Sequence, residues 1–213
     1  MPRSGCSSRP RAALARRSAS FALGKYRGWT PFLFLGNDVH RSTLGIIGMG
    51  RIGRAVARRA KGFEMTLLYT GARRNEDAEG ELGARYVTLD ELLAQSDFVS
   101  LHTPLLPETR HLIDAAALRK MKRPAVRINT SRGPVVDERA LAEALRDGVI
   151  AAAGLDVFER EPAVDELLLE QENAVLLPHV ASASEATRRR MAMRAAENIL
   201  AFLDGKPLLD PVP

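Results

Sequence analysis

The chain reads as an α/β protein built on a doubly wound parallel sheet, with an N-terminal tail and a C-terminal helix. Three observations lead there. An apolar β-type run, Leu44–Ile47, feeds directly into the G-x-G-x-x-G turn Gly48-Met49-Gly50-Arg51-Ile52-Gly53. From that point short apolar runs alternate with helical stretches, the signature of successive βαβ units. Finally, a cation, an acid and an imidazole each follow the carboxyl end of one of the last three predicted strands, the edge at which open α/β sheets bind ligands.

Taken in order, Leu44–Ile47 is the first strand and the helix opens near Arg51, with Arg54 to Ala60 as its body. Met65-Thr66-Leu67-Leu68-Tyr69 is the second strand and Arg85-Tyr86-Val87 a short third. Leu89 to Ala94 is helical, opened by Thr88 or Asp90. Asp97-Phe98-Val99-Ser100-Leu101 is a strand that ends at His102-Thr103-Pro104, where proline stops the ladder. Ala115 to Met121 is a helix, Ala125 to Asn129 a strand, and Glu138 to Asp147 a helix closed by Gly148. Val149 to Leu155 and Ala174 to Leu177 are the last strands. A final helix starts at Ser184 or Glu185 and stops at Gly205, with Met191, Ala195, Ile199, Phe202 and Leu203 as its apolar stripe. The domains expected are therefore a basic tail over 1–24, a dinucleotide-binding domain over 25–183, and a helical extension over 184–213.

The glycine turn predicts a dinucleotide site. Gly48 permits the tight turn, Gly50 lets backbone approach a pyrophosphate, and Gly53 lets helix and strand pack closely. The helix N-terminus, with Arg51 and Ile52, faces the phosphates. In the commonest NAD sites a carboxylate closes the second strand; here Thr70-Gly71-Ala72-Arg73-Arg74 stands there instead. Thr70 can hydrogen-bond a 2′-phosphate and Arg73 or Arg74 can pair with it, so NADP(H) is favoured and NAD(H) remains possible. Two arginines solvating a loop would look the same.

Arg132 follows Arg127–Ser131, Glu161 follows Gly154–Phe158, and His179 follows Val175–Pro178. This trio suits carbonyl chemistry: a cation to hold a carboxylate and polarise a carbonyl, an imidazole to move a proton near neutral pH, and an acid to hold the imidazole. Singly, each has a plainer role: a turn arginine, a solvated loop acid, a buried histidine. Asp156 ends a strand and suits either a nicotinamide carboxamide or a turn cap. His102 sits where it could line the cofactor cleft, whereas His40 and His111 have no comparable pattern.

At 213 residues and 46% hydrophobic content, one core plus an appendage is expected. The net charge of +5 belongs to the tail: Arg3, Arg9, Arg11, Arg16, Arg17, Lys25 and Arg27 precede the first acidic residue, Asp38, and the rest carries −2. An unpatterned basic tail offers no motif for reading nucleic acid. It fits a transit peptide, a disordered extension, or a misplaced start or shifted frame. Cys6 is the single cysteine, so no intrachain disulfide forms; no Cys/His cluster has zinc spacing and no run is long enough to span a membrane. A soluble protein of the cytoplasm is expected, or of an organelle matrix if the tail is a transit peptide.

From about Gly28 onward the chain resembles the cofactor-binding portion of the D-isomer-specific 2-hydroxyacid dehydrogenases. The marks are Leu44 to Gly53, Ser100–Pro104, Ile128–Gly133, Gly154–Phe158 with Glu161-Pro162, and Leu177-Pro178-His179. Leu68–Gly71 and Gly28–Pro31 look most like the glyoxylate/hydroxypyruvate reductase branch, which commonly uses NADPH. The resemblance implies a Rossmann-like fold, Arg132, Glu161 and His179 as the catalytic set, and Asp156 as the nicotinamide-side acid. It also implies Thr103, Pro104 and Thr130 along the cofactor, a small 2-oxo or 2-hydroxy acid as substrate, and a homodimer, for which the apolar segment Trp29 to Leu35 is suited unless it packs on its own sheet. Two departures stand out. Relatives usually begin with a substrate lobe of about a hundred residues, of which only the tail and the Gly28 region would remain here. Glu64 stands where the family usually has a second glycine. The closing helix returns to that lobe in complete members, so its stripe here is left partly exposed or is covered by a partner chain. A non-catalytic dinucleotide-binding module or gene fragment is the competing reading.

Overall fold

A computed structural model describes residues 23–24, 26–31 and 36–211; most of the basic tail, Cys6 and residues 32–35 lie outside them. The described chain divides into two compact units, one ending at Pro178 and one beginning at His179.

The first unit is a seven-stranded, all-parallel sheet. Its strands are β1 (Thr43–Ile47), β2 (Thr66–Thr70), β3 (Arg85–Tyr86), β4 (Phe98–Leu101), β5 (Val126–Asn129), β6 (Ala152–Leu155) and β7 (Ala174–Leu176), in the spatial order β3-β2-β1-β4-β5-β6-β7. Between them lie α1 (Arg51–Ala60), α2 (Glu76–Leu82), α3 (Leu89–Gln95), α4 (Ala115–Lys120), α5 (Glu138–Arg146) and α6 (Glu166–Leu169). The apolar runs are continuous because both faces are covered. Successive strand residues point to opposite sides: Ile46, Leu67 and Tyr69 join Ala57, Ala60, Ala78 and Leu82 on one face. Ile47 and Leu68 join Leu92, Leu118 and Leu141 on the other. The chain therefore winds in both directions from β1, and the order reverses between β1 and β4.

Local chemistry sets most element ends. Thr88 and Glu91 form a reciprocal capping box at α3, Asp114 caps α4 and Asp137 caps α5 through side-chain oxygens, and Gly148 takes a left-handed φ of 67° after α5. Where the structure differs from the sequence pattern, backbone bonds explain it. β6 begins at Ala152 rather than Val149, because the Val149 amide is still bonded to Ala144 O in the turn that ends α5. Helix α1 starts at Arg51, where the glycine turn predicts its opening. Two short helices were not anticipated, α2 and α6, although Asn75 and Asp165 are ordinary N-caps whose side chains accept from Ala78 and Leu167. Glu64 adopts φ 54°, the left-handed region in which a glycine costs nothing. Its carboxylate is held by Arg41 Nε at 2.9 Å.

The second unit contains α7 (Glu185–Leu203), capped by Ser184 Oγ on the Thr187 amide and stopped at Gly205, φ 66°. No residue of its 19 is buried, and Ile199, Phe202 and Leu203 of the expected stripe are 61–72% exposed. Asn198 Oδ1 accepts from the amides of Leu209 and Asp210, tying the closing segment back on the helix. Trp29, in the segment suited to a dimer contact, is 79% exposed. Among the described residues no helix is long and apolar enough to cross a membrane, and no group of three or more His, Cys, Asp and Glu could hold a metal ion.

Candidate active site

A cleft of about 620 Å³ opens at the carboxyl ends of β1, β2 and β4, at the point where the strand order reverses. Its floor is Ile47, Gly48, Met49 and Gly50; one wall is Thr70 to Asn75, the other His102, Thr103 and Pro104. Gly48 has φ 99°, and a Cβ there would come within 2.7 Å of the His102 carbonyl, so the turn and its approach to the β4 loop both require glycine. Gly53 is buried in α1 with its Cα facing the Gly48 carbonyl, as close helix–strand packing demands. Gly50 is different. A Cβ there would meet no heavy atom within 4 Å, so the protein's own packing does not call for glycine; the space it leaves belongs to the cleft, and it suits a pyrophosphate lying against backbone. The residues present thus fit a dinucleotide. Arg51 and Ile52 open α1 beside it, Ile52 68% exposed.

A second opening of about 430 Å³ shares His102, Thr103 and Pro104 with the first and continues to Ile52, Thr130, Ser131 and Arg132. The turn that carries Arg132 is built on Asn129, itself buried. Asn129 Oδ1 accepts from the Ser131 amide and hydroxyl at 3.0 and 2.8 Å, and its Nδ2 donates to Arg132 O at 3.0 Å. Arg132 Nη1 donates to Ser131 O at 2.7 Å, the turn role its sequence context allowed; that bond uses one of five guanidinium donors. His102 lies between the openings, Nε2 2.9 Å from Ser100 Oγ, and burial holds its pKa below the usual histidine value. The imidazole is neutral there at neutral pH.

Asp156 is buried just past β6, its amide bonded to Asn129 O at 3.0 Å; it lines neither opening. Glu161 is exposed in the following loop, and its Oε1 accepts from the Phe158 amide at 3.0 Å. The Arg132 and Glu161 loops touch: a Cβ on Gly133 would overlap the Phe158 carbonyl. Buried Glu138 holds the second loop at two points, accepting from Glu159 N at 2.7 Å and Asp165 N at 2.6 Å. His179, φ 52°, is the first residue of the second unit, three positions after β7. Sequence reasoning passed over Glu138 and Asn75. The signal for Asn75 was its place before the acidic turn Glu76-Asp77; nothing local marks Glu138.

Residues 12–181 match the family model described as D-isomer specific 2-hydroxyacid dehydrogenase, NAD binding domain. A glyoxylate reductase of Korarchaeum cryptofilum is 59% identical over 185 residues, covering 86% of this chain and 56% of that protein. Among solved structures, protein TT0316 of Thermus thermophilus superposes with a TM-score of 0.87 at 44% identity, over 94% of this chain and 63% of that one. A glyoxylate reductase from Paecilomyes thermophila gives a TM-score of 0.84 at 42% identity, over 92% and 58%. The chain spans a little over half the length of the curated relative it matches. With the strand order, the glycine turn and the shared cleft, these likenesses establish that the chain belongs to the D-isomer-specific 2-hydroxyacid dehydrogenase family and carries its NAD-binding domain.

Proposed function

We propose that the chain serves NAD(P)H-dependent reduction of a small 2-oxo acid, glyoxylate or hydroxypyruvate, to the D-2-hydroxy acid, with NADPH the preferred cofactor. The observation that carries this is continuity: the dinucleotide cleft shares His102, Thr103 and Pro104 with an opening lined by Arg132. A nicotinamide ring and a small acid would thereby meet beside a guanidinium. The likeness to glyoxylate reductases supports the substrate class.

A bound NAD(P)H supplies the hydride. Arg132, with donors left over from its turn bond, holds the substrate carboxylate and draws charge toward the carbonyl oxygen. His179 is assigned the proton that the new hydroxyl requires, given in reduction and taken back in the reverse direction, and Glu161 the carboxylate that the family motif pairs with it. Neutral His102 and the apolar Leu89, Leu106 and Leu112 line the cleft that would receive the cofactor. Asp156, buried just past β6, is assigned to the carboxamide side by the family motif rather than by the lining of either opening, and a second copy of the chain is the proposed partner.

The test is 2-oxo-acid-dependent oxidation of NADPH and NADH by the purified chain, with Arg132→Ala and His179→Ala alongside. The proposal expects turnover with glyoxylate or hydroxypyruvate that falls at least about a hundredfold in either variant. Tight NADPH binding without turnover would favour instead a dinucleotide-binding module.

A further inference from the structure

Arg73 and Arg74 are adjacent and both line the cleft, but their surroundings differ. Arg74 Nε donates to Glu79 Oε1 at 2.7 Å and Nη2 to Glu79 Oε2 at 2.6 Å, a two-pronged pair. Glu79 is secured from behind: the buried Tyr69 hydroxyl donates to Oε1 at 2.6 Å and itself accepts from the Asn75 amide at 2.7 Å. Asn75 then donates through Nδ2 to Met49 O in the glycine turn at 2.8 Å. The charge of Arg74 is thus spent inside a chain of bonds that fixes the 71–75 loop against the pyrophosphate turn. The pairing holds the Glu79 carboxyl down to about 2, so the pair stays ionised at any working pH. Arg73 is exposed and has no hydrogen bond or ion pair among the described residues.

We infer that Arg73 is the 2′-phosphate determinant of this site and that Arg74 is a structural tie, its guanidinium committed to Glu79, which Tyr69 holds in turn. This rests on the dinucleotide reading above and separates two arginines that the sequence presents as equivalent. A phosphate arriving at Arg74 would face the Glu79 carboxylate beside it, whereas at Arg73 it meets an uncompensated cation with all five donors open. Thr70, at the end of β2, would supply a neutral donor to the same phosphate.

The experiment needs no turnover. Calorimetric titration of 2′,5′-ADP and of 5′-AMP, which differ only in the 2′-phosphate, reads that subsite alone. The wild type should bind 2′,5′-ADP at least about tenfold more tightly, the worth of one charge-assisted contact. Arg73→Gln should bring the ratio to within about threefold of unity, while Arg74→Gln keeps most of the preference and lowers the melting temperature. The inference is overturned if Arg74→Gln removes the preference and Arg73→Gln keeps it, if the two lose it equally, or if the wild type binds both nucleotides alike. Should the wild type bind neither, the dinucleotide reading itself fails, an outcome distinct from equal binding. Arg73 is exposed, so its substitution threatens no packing; a thermal melt of each variant confirms folding.

Discussion

Arg127 stands in the middle of β5, registered between Val99 and Ala153, with its side chain fully buried and none of its three guanidinium nitrogens bonded among the described residues. Burial pushes its pKa down to about 9, which measures how poorly the site tolerates the charge. At neutral pH that cost is present in full. Arg127→Leu, which keeps the apolar stem, should therefore stabilise the domain by on the order of 3 kcal/mol in urea unfolding; a destabilised variant would mean that the guanidinium has a partner. His102 has a pH dependence of the same sign in a lower pH window. Its pKa is lowered from 6.5 by burial, so below pH 6.5 the unfolded chain takes up a proton that the fold refuses, and stability falls as pH drops. His102→Asn should flatten that decline in melts between pH 7 and 5. Neither feature is written in the local pattern. Val126-Arg127-Ile128-Asn129 reads as any strand, and the burial of its second residue depends on helices that come from elsewhere in the chain. The same holds for Arg73 and Arg74, whose difference arises from Glu79 and Tyr69.

At the level of elements, the strands and the longer helices were legible because each carries its own signal: a covered apolar run, a cap, a glycine or proline stop. Thr88 with Glu91, Asp137 and Gly148 all lie where such signals predict ends. Helices α2 and α6 were missed because seven- and four-residue helices have too little periodicity to show. The loops that bear chemistry were legible as positions and not as geometry. That Arg132 and Glu161 follow β5 and β6 is plain in the sequence; that Gly133 lies against Phe158, and that Glu138 clamps the Glu161 loop from α5, is not. Glu138 makes a direct prediction. Glu138→Ala strands the amides of Glu159 and Asp165 in part-buried positions and should cost about 3 kcal/mol in urea unfolding. Glu138→Gln, which keeps one acceptor, should cost clearly less.

Over the whole molecule, the doubly wound order and the position of the cleft follow from one fact, that β1 has β2 on one side and β4 on the other. The alternation of β and α units conveyed this, and the glycine turn marked which strand came first. Helix α7 was legible in its cap, its glycine stop and its apolar stripe, although none of its residues is buried. The central claim, that the cleft is a cofactor cradle, rests most directly on Gly50, where a Cβ would enter open space and touch nothing. The measurement to make is therefore NADPH binding by fluorescence titration for the wild type and Gly50→Val, with a thermal melt of each. Binding should weaken at least about fiftyfold, because the side chain displaces the pyrophosphate from the backbone, with the melting temperature shifted by no more than about two degrees. Undiminished binding in a folded Gly50→Val would contradict it.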